Sequence, residues 1–316
     1  MSSNEQRRQA AKRKLERRLE RQQQAARKRK IIIVSTSVVL VVAVAAVATT
    51  LIVKKVADDN EKARWTACSY VEDTADPFEG LPDTVPAEVP ADQQPKFQQF
   101  LGELKAGAAK QRKAPMPGDK QLKEGSVDVV FDTSQGAIPV QLNRKDAPCN
   151  VGAFESLIKE NYFNDTSCHR LTSDQLKVLQ CGDPTATGRG GPGWQSPDEL
   201  PTGFAPAGEA DPTTGAQPVT YPRGTIAVAN SGTNQETGAG TGGSQFFMVI
   251  QDGVLPADYT VIGKVEEPGL QVLDKVLAGG IVPGLRPNQS TGSLDENPSD
   301  GKPVLPVDIT TATIGS

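Results

Sequence analysis

The chain has 316 residues, which is enough for one large domain or two ordinary ones. Its 34 Lys and Arg and 38 Asp and Glu give a net charge of −4, yet the first 30 residues alone carry a local charge of +9. The rest of the chain therefore sums to −13, and this acidic body argues against nucleic acid as a partner.

A basic tail, residues 1–30, is followed by an uncharged apolar run from Ile31 to Val53. About 20 apolar residues cross a bilayer as a helix, so residues 31–53 are predicted to be a transmembrane helix. A cleaved signal peptide is the alternative, because small residues between Ala43 and Ala48 resemble cleavage sites. The basic residues precede the run, which predicts a single-pass protein of the cell membrane with a cytoplasmic N-terminus and an extracytoplasmic body.

Four cysteines follow the apolar run: Cys68, Cys149, Cys168 and Cys181. Disulfides persist outside the cytoplasm, but four cysteines allow three pairings and the sequence does not choose among them. Zinc is the alternative, because Cys168 and His169 are adjacent. The chain lacks a C-x-x-C pair and has a single histidine, so no metal site is predicted.

Residues 54–125 are predicted to form an extracytoplasmic stalk or linker. Five prolines and several acids lie between Asp76 and Pro95, a composition that keeps a segment extended and poorly packed. Apolar residues at helical spacing between Phe97 and Leu104 predict one short amphipathic helix within it.

From Ser126 onwards the pattern changes to short strands. Apolar residues alternate over residues 127–131 and 138–142 around a turn, which predicts a hairpin. Helices are predicted from Asn150 and over residues 270–277. Other strands are expected near residues 168–171, 176–180, 225–229, 246–250, 260–265 and 307–314. The Gly- and Pro-rich stretches 182–223 and 279–303 are predicted to be surface loops, and the whole pattern indicates a closed antiparallel barrel.

Two familiar kinds of site are excluded by context. The segments 188–193 and 238–243 match G-x-G-x-x-G, but neither opens a helix as a dinucleotide site requires. A nucleophilic triad needs a histidine base, and the only histidine, His169, lies beside Arg170 on an apparent strand. Neighbouring strand residues face opposite sides, so we expect His169 to be a hydrogen-bonded core residue and Arg170 to face outwards.

Four motifs, in order, resemble the signatures of cyclophilins. They are Phe163-x4-Cys168-His169-Arg170-Leu171 with Leu179–Thr185 and Gly188–Gly193, then Arg223–Asn230, Gly243–Met248 and Ile262–Val265. The resemblance covers about residues 126–316. It implies a mainly β fold, an eight-stranded antiparallel cyclophilin-like barrel closed by two helices and preceded here by one transmembrane helix and a spacer.

The resemblance also implies an activity. Cyclophilins are peptidyl-prolyl cis-trans isomerases, and a membrane-anchored bacterial form would act on X–Pro bonds of exported or surface proteins and assist their folding. Proline-containing polypeptides are then the partners, and no cofactor is needed. The alternative is a proline-peptide binding module or holdase chaperone that uses the same groove with little turnover.

Carried over by position, the resemblance makes Arg170 and Gln180 catalytic, with Arg170 donating to the proline nitrogen and Gln180 holding the carbonyl side. The residues implied to bind substrate are Val178, Ala229, Asn230, Gln245, Phe247, Leu255 and Tyr259.

Three departures from the family pattern bear on the pocket. Two extra residues lie between Arg170 and Gln180, and Tyr259 stands where a histidine is common. Val254 replaces a frequent tryptophan whose indole donates a hydrogen bond to cyclosporin-type cyclic peptides. Because valine has no polar side-chain group, we predict weakened cyclosporin binding.

Overall fold

The structure is a computed structural model that describes residues 3–212, 215–232, 240–288 and 293–315; within the first helix, side chains are described for residues 8–30 and 45–63. The chain divides into two units, Met1–Ala63 and Arg64–Ser316. The first unit consists of helix α1, Ser3–Ala63.

The transmembrane helix predicted over residues 31–53 falls within α1, and the side chains of residues 31–44 lie outside the described part. Among the residues that are described, no helix combines the length and the apolar character that a bilayer crossing requires. The membrane helix therefore stays a prediction.

The second unit is mainly β. Its described helices are α2 (Gln94–Ala108), α3 (Pro148–Lys159) and α4 (Glu267–Ala278). Its first described strands are β1 (Trp65–Ala67), β2 (Val71–Glu72), β3 (Lys120–Leu122), β4 (Ser126–Thr133), β5 (Gly136–Asn143), β6 (Thr166–Ser167), β7 (Arg170–Thr172), β8 (Lys177–Cys181) and β9 (Trp194–Gln195). The others are β10 (Pro218–Tyr221), β11 (Thr225–Val228), β12 (Phe246–Gln251), β13 (Gly253–Pro256), β14 (Val261–Val265), β15 (Ile281–Pro287), β16 (Leu294–Pro303) and β17 (Asp308–Ile314).

Eleven of these strands form one sheet in the order β15-β16-β7-β8-β12-β11-β14-β5-β4-β17-β6, with antiparallel neighbours. The predicted hairpin is confirmed as β4 and β5, which pair along their whole length from Ser126 opposite Asn143 to Thr133 opposite Gly136. The turn needs Gly136, whose φ of 128° lies in a region that side chains avoid. The two helices expected beside the sheet are confirmed as α3 and α4.

The closed eight-stranded barrel is not confirmed, because the described hydrogen-bonded order begins at β15 and ends at β6 without returning. Part of the difference lies in residues 279–303, which were predicted to be a surface loop. The structure has the β15–β16 hairpin there, and β16 pairs with β7 at Asp300 and Gly301. Proline and glycine weaken a strand signal but are tolerated at a sheet edge, where β15 lies.

The segment predicted as a stalk over residues 54–125 differs from the observed arrangement from Arg64 onwards, because that part belongs to the second unit. A disulfide joins Cys68 to Cys149 of α3, β1 pairs with β3, and β2 pairs with β9. The short helix expected near residues 97–104 is confirmed as α2, which buries Leu101 and Leu104. The composition predicted an extended segment, but it did not predict the disulfide and the strand pairs that attach this segment to the rest of the second unit.

The main core lies between the inner face of the sheet and the two helices α3 and α4. Phe131, Phe154, Phe163 and Phe246 meet there with ring centroids 5.1–5.9 Å apart. This packing fixes which residues of β7, β8, β12 and β11 face inwards, and so which ones are left for the opposite face.

Candidate active site on the outer face of the sheet

A single row of side chains crosses four neighbouring strands on the outer face. Arg170 of β7 is opposite Gln180 of β8, Gln180 is opposite Phe247 of β12, and Phe247 is opposite Ala227 of β11. Directly opposed residues share a face, so these four lie together. The structure places Arg170 outwards, as expected from alternation, while its neighbour Leu171 is buried in the core.

Polar groups in and beside this row form a continuous line of hydrogen bonds. Arg170 Nη1 donates to Gln180 Oε1 at 3.0 Å, and Gln180 Nε2 donates to Gln245 Oε1 at 2.9 Å. Gln245 Nε2 in turn donates to the carbonyls of Gly188 and Gly190, each at 2.9 Å. Each side chain therefore orients the next one, and the predicted residues Arg170, Gln180 and Gln245 are held as one unit.

An apolar patch lies beside this line on the same face. Its buried members are Val178, Val219, Tyr221, Ala227, Phe247 and Val249, and its half-buried margin includes Ala229, Leu255 and Tyr259. The Tyr259 ring stands edge-on to Phe247, with centroids 5.4 Å apart and planes at 88°. Five residues predicted to bind substrate are thus brought together next to Arg170. Val254 lies on β13 with 51% exposure, and weakened cyclosporin binding stays a prediction.

On the other side of Gln180 and Gln245 lies a cleft of about 510 Å³. That volume lies within the range of small-molecule sites in proteins. Asn230 lines this cleft, and its amide donates to the carbonyl of Asp258 at 2.8 Å. The opposite wall is built from residues 73–77 of the segment predicted as a stalk, so sequence reasoning missed that wall.

Asp300, which contacts Arg170, was not predicted from the sequence as a residue of the site. Asp300 accepts from Arg170 Nε at 2.8 Å and from Arg170 Nη2 at 2.9 Å, and it also accepts from Arg286. The hydrogen bonds that Arg170 donates to Asp300 raise the pKa of Arg170 above its ordinary value, despite burial. Burial alone would raise the pKa of Asp300, but the two arginines outweigh it and hold that pKa low.

His169 is predicted to be a hydrogen-bonded core residue, but its ring makes no hydrogen bond among the described residues; only its backbone N–H donates, to the carbonyl of Gln180 at 3.1 Å. Although the residue as a whole is partly exposed, both ring nitrogens are buried and have no partner among the described residues. Burial lowers the pKa of His169 to about 4. Its neighbour Cys168 is bonded to Cys181 in a disulfide, which takes both thiols out of the zinc alternative.

The buried imidazole predicts a stability that depends on pH. Its folded-state pKa is depressed from 6.5 to about 4, so the unfolded chain binds the additional proton between these values. Stability should therefore fall as the pH drops from about 6.5 to about 4, by up to about 3 kcal/mol from this group. Denaturant unfolding of the wild type and of His169→Gln at pH 7 and pH 4 measures it. Equal losses in the two proteins would contradict the assignment.

Known proteins that resemble this chain identify its family. The family model described as cyclophilin type peptidyl-prolyl cis-trans isomerase/CLD matches residues 127–313. The chain therefore belongs to the family of cyclophilin-type peptidyl-prolyl cis-trans isomerases.

Two curated relatives carry the name probable peptidyl-prolyl cis-trans isomerase B. The one from Mycobacterium leprae is 47% identical over 178 residues, covering 56% of this chain and 57% of the relative. The one from Mycobacterium tuberculosis is 41% identical over 208 residues, covering 66% and 60%. The matched region thus spans less than two thirds of either relative. A crystal structure of a Cryptosporidium parvum isomerase of this type covers 61% of this chain and 99% of its own, at 23% identity and a TM-score of 0.40.

Proposed function

We propose that this protein is a peptidyl-prolyl cis-trans isomerase that acts on X–Pro bonds of exported or surface proteins and assists their folding. The observation that carries the proposal is the placement of Arg170: an outward guanidinium, fixed by three hydrogen bonds, beside the apolar patch around Phe247. A cation donor next to an apolar floor suits a proline ring and its nitrogen.

Isomerisation of an X–Pro bond needs a hydrogen-bond donor near the proline nitrogen. Amide resonance opposes rotation by about 18–20 kcal/mol, and unassisted X–Pro exchange takes tens to hundreds of seconds. As the bond twists, the proline nitrogen loses conjugation and becomes a hydrogen-bond acceptor. Arginine has five N–H donors and is always charged. The bonds to Asp300 and Gln180 use three of them, which leaves one on each terminal nitrogen of Arg170 for the substrate.

The other groups supply position. The apolar patch takes the proline ring, and Gln180 holds the carbonyl side of the bond. The cleft lined by Asn230 and Gln245 takes residues next to the proline in an extended peptide. Catalysis then comes from an electrostatic donor that is in place before the bond twists, which is a way to stabilise a transition state more than the ground state.

The deciding experiment follows the cis-to-trans exchange of a short X–Pro peptide with the full chain present. We expect acceleration in proportion to enzyme concentration. The second candidate, a proline-peptide binding module or holdase, would use the same apolar patch and cleft without the electrostatic step at Arg170. Peptide binding without any acceleration would favour that candidate over the isomerase.

We also propose that the chain is a single-pass protein of the cell membrane with a cytoplasmic N-terminus and an extracytoplasmic catalytic domain. The charge of the tail and the apolar run over residues 31–53 support this, and so do two disulfides, which persist in oxidising compartments. Protease added outside intact cells should degrade the second unit and spare the tail. A mature protein that begins near Ala46 would instead indicate a signal peptide.

A further inference from the structure

Asp300 and Arg170 form a two-point carboxylate–guanidinium pair at the candidate site. Asp300 lies on β16, beside β7, and its side chain is only 14% exposed. Its two oxygens engage Nε and Nη2 of Arg170, the edge of the guanidinium that faces away from Gln180. A two-point bond of this kind fixes the plane of the group as well as its place.

We propose that Asp300 is the positioning residue for Arg170, an inference that rests on the proposed isomerase function. The arginine side chain is long and has many rotamers, so an outward guanidinium without a partner would sample several positions. Asp300 clamps one edge and Gln180 holds Nη1, which leaves the remaining N–H groups in one direction. Misplacing a catalytic group by about 1 Å can cost about 10²-fold in rate.

A carboxylate beside a catalytic cation would weaken its field, and Arg286 offsets that loss. Arg286 also binds Asp300, so two guanidinium groups share one carboxylate and the three side chains keep a net positive charge. Asp300 therefore orients Arg170 without neutralising the site. Asp300 touches the row of the candidate site through the Arg170 guanidinium, so it acts through that residue.

The test compares Asp300→Asn with Asp300→Glu in the full chain. Asparagine is nearly the same size but loses the charge and one of the two acceptors, so kcat/KM should fall about 10- to 100-fold. Most of the fall should be in kcat. Glutamate restores a two-oxygen acceptor and should recover part of the activity. The matched control is Asp295→Asn on the same strand, whose carboxylate accepts from Asn288 instead, and kcat/KM should stay within twofold.

A second measurement reports position directly. Hydrogen exchange of the Arg170 Nε–H, followed by NMR, should be slow in the wild type and faster in Asp300→Asn, at unchanged thermal stability. Faster exchange with wild-type kcat/KM would overturn the proposal, and so would an equal loss of activity in Asp295→Asn. The proposed function fails separately, if the wild type does not accelerate exchange or if Arg170→Ala is as active as the wild type.

Discussion

Arg170→Ala is expected to fold normally, while its isomerase activity should fall about 10²- to 10³-fold. A loss of this size is common when one preorganised electrostatic donor is removed. The side chain is 39% exposed and lies outside the main core, so its removal opens no cavity there. Asp300 keeps its bond to Arg286 and is not left as an unpaired buried charge. Exchange rates of an X–Pro peptide and thermal unfolding together measure the effect.

Arg223→Ala is the matched control for that loss. Arg223 is similarly exposed, at 33%, and makes a two-point bond to Asp274, but it lies outside the row and the apolar patch. Its removal should cost comparable stability and little activity. An active, folded Arg170→Ala protein would disprove the electrostatic mechanism, whereas equal activity losses in both variants would indicate a general effect of removing a paired arginine.

The outer row of the site could be predicted partly from a local rule and partly from the resemblance to cyclophilins. Alternation predicts an outward Arg170, which the structure has on β7. The resemblance implied Val178, Gln180 and Phe247 as its neighbours. The sequence did not predict that the His169 ring lacks a hydrogen-bond partner among the described residues, because a strand pattern indicates the direction of a side chain but not its partners.

Asp300 could not be found for a different reason. It lies in Leu294–Pro303, a segment whose acids, prolines and glycine are typical of a loop. Its strand forms only because β15 and β7 supply hydrogen-bonding partners on its two sides. The hydrogen bond from Arg170 to Asp300 joins residues 130 positions apart in the chain, and no local pattern encodes such a contact. The cleft wall at residues 73–77 could not be predicted for the same reason. Composition predicted an extended chain there, but the position of that chain depends on long-range strand pairing.

Removing the Cys68–Cys149 disulfide, by changing both residues to serine, is expected to lower the free energy of unfolding by about 4.5 kcal/mol. The two cysteines are 81 positions apart, and the loop closed in the unfolded chain sets the entropy that the bond removes. The bond also ties the N-terminal segment, which carries the cleft wall, to α3. Urea unfolding monitored by circular dichroism measures the loss, with isomerase activity assayed at low urea.

The Cys168–Cys181 disulfide is the control, because its removal should cost less stability but more activity than removal of the first disulfide. Its cysteines are only 13 positions apart, so replacing both by serine should cost about 3 kcal/mol, less than the first pair. However, it joins the strand that ends next to Gln180 to the residue two positions before Arg170. Activity should therefore fall more in this variant than in the first, although stability falls less. If the first pair proves cheaper to remove, the Cys68–Cys149 disulfide does not hold the N-terminal segment. If both variants keep full activity, the Cys168–Cys181 disulfide does not align the catalytic strands.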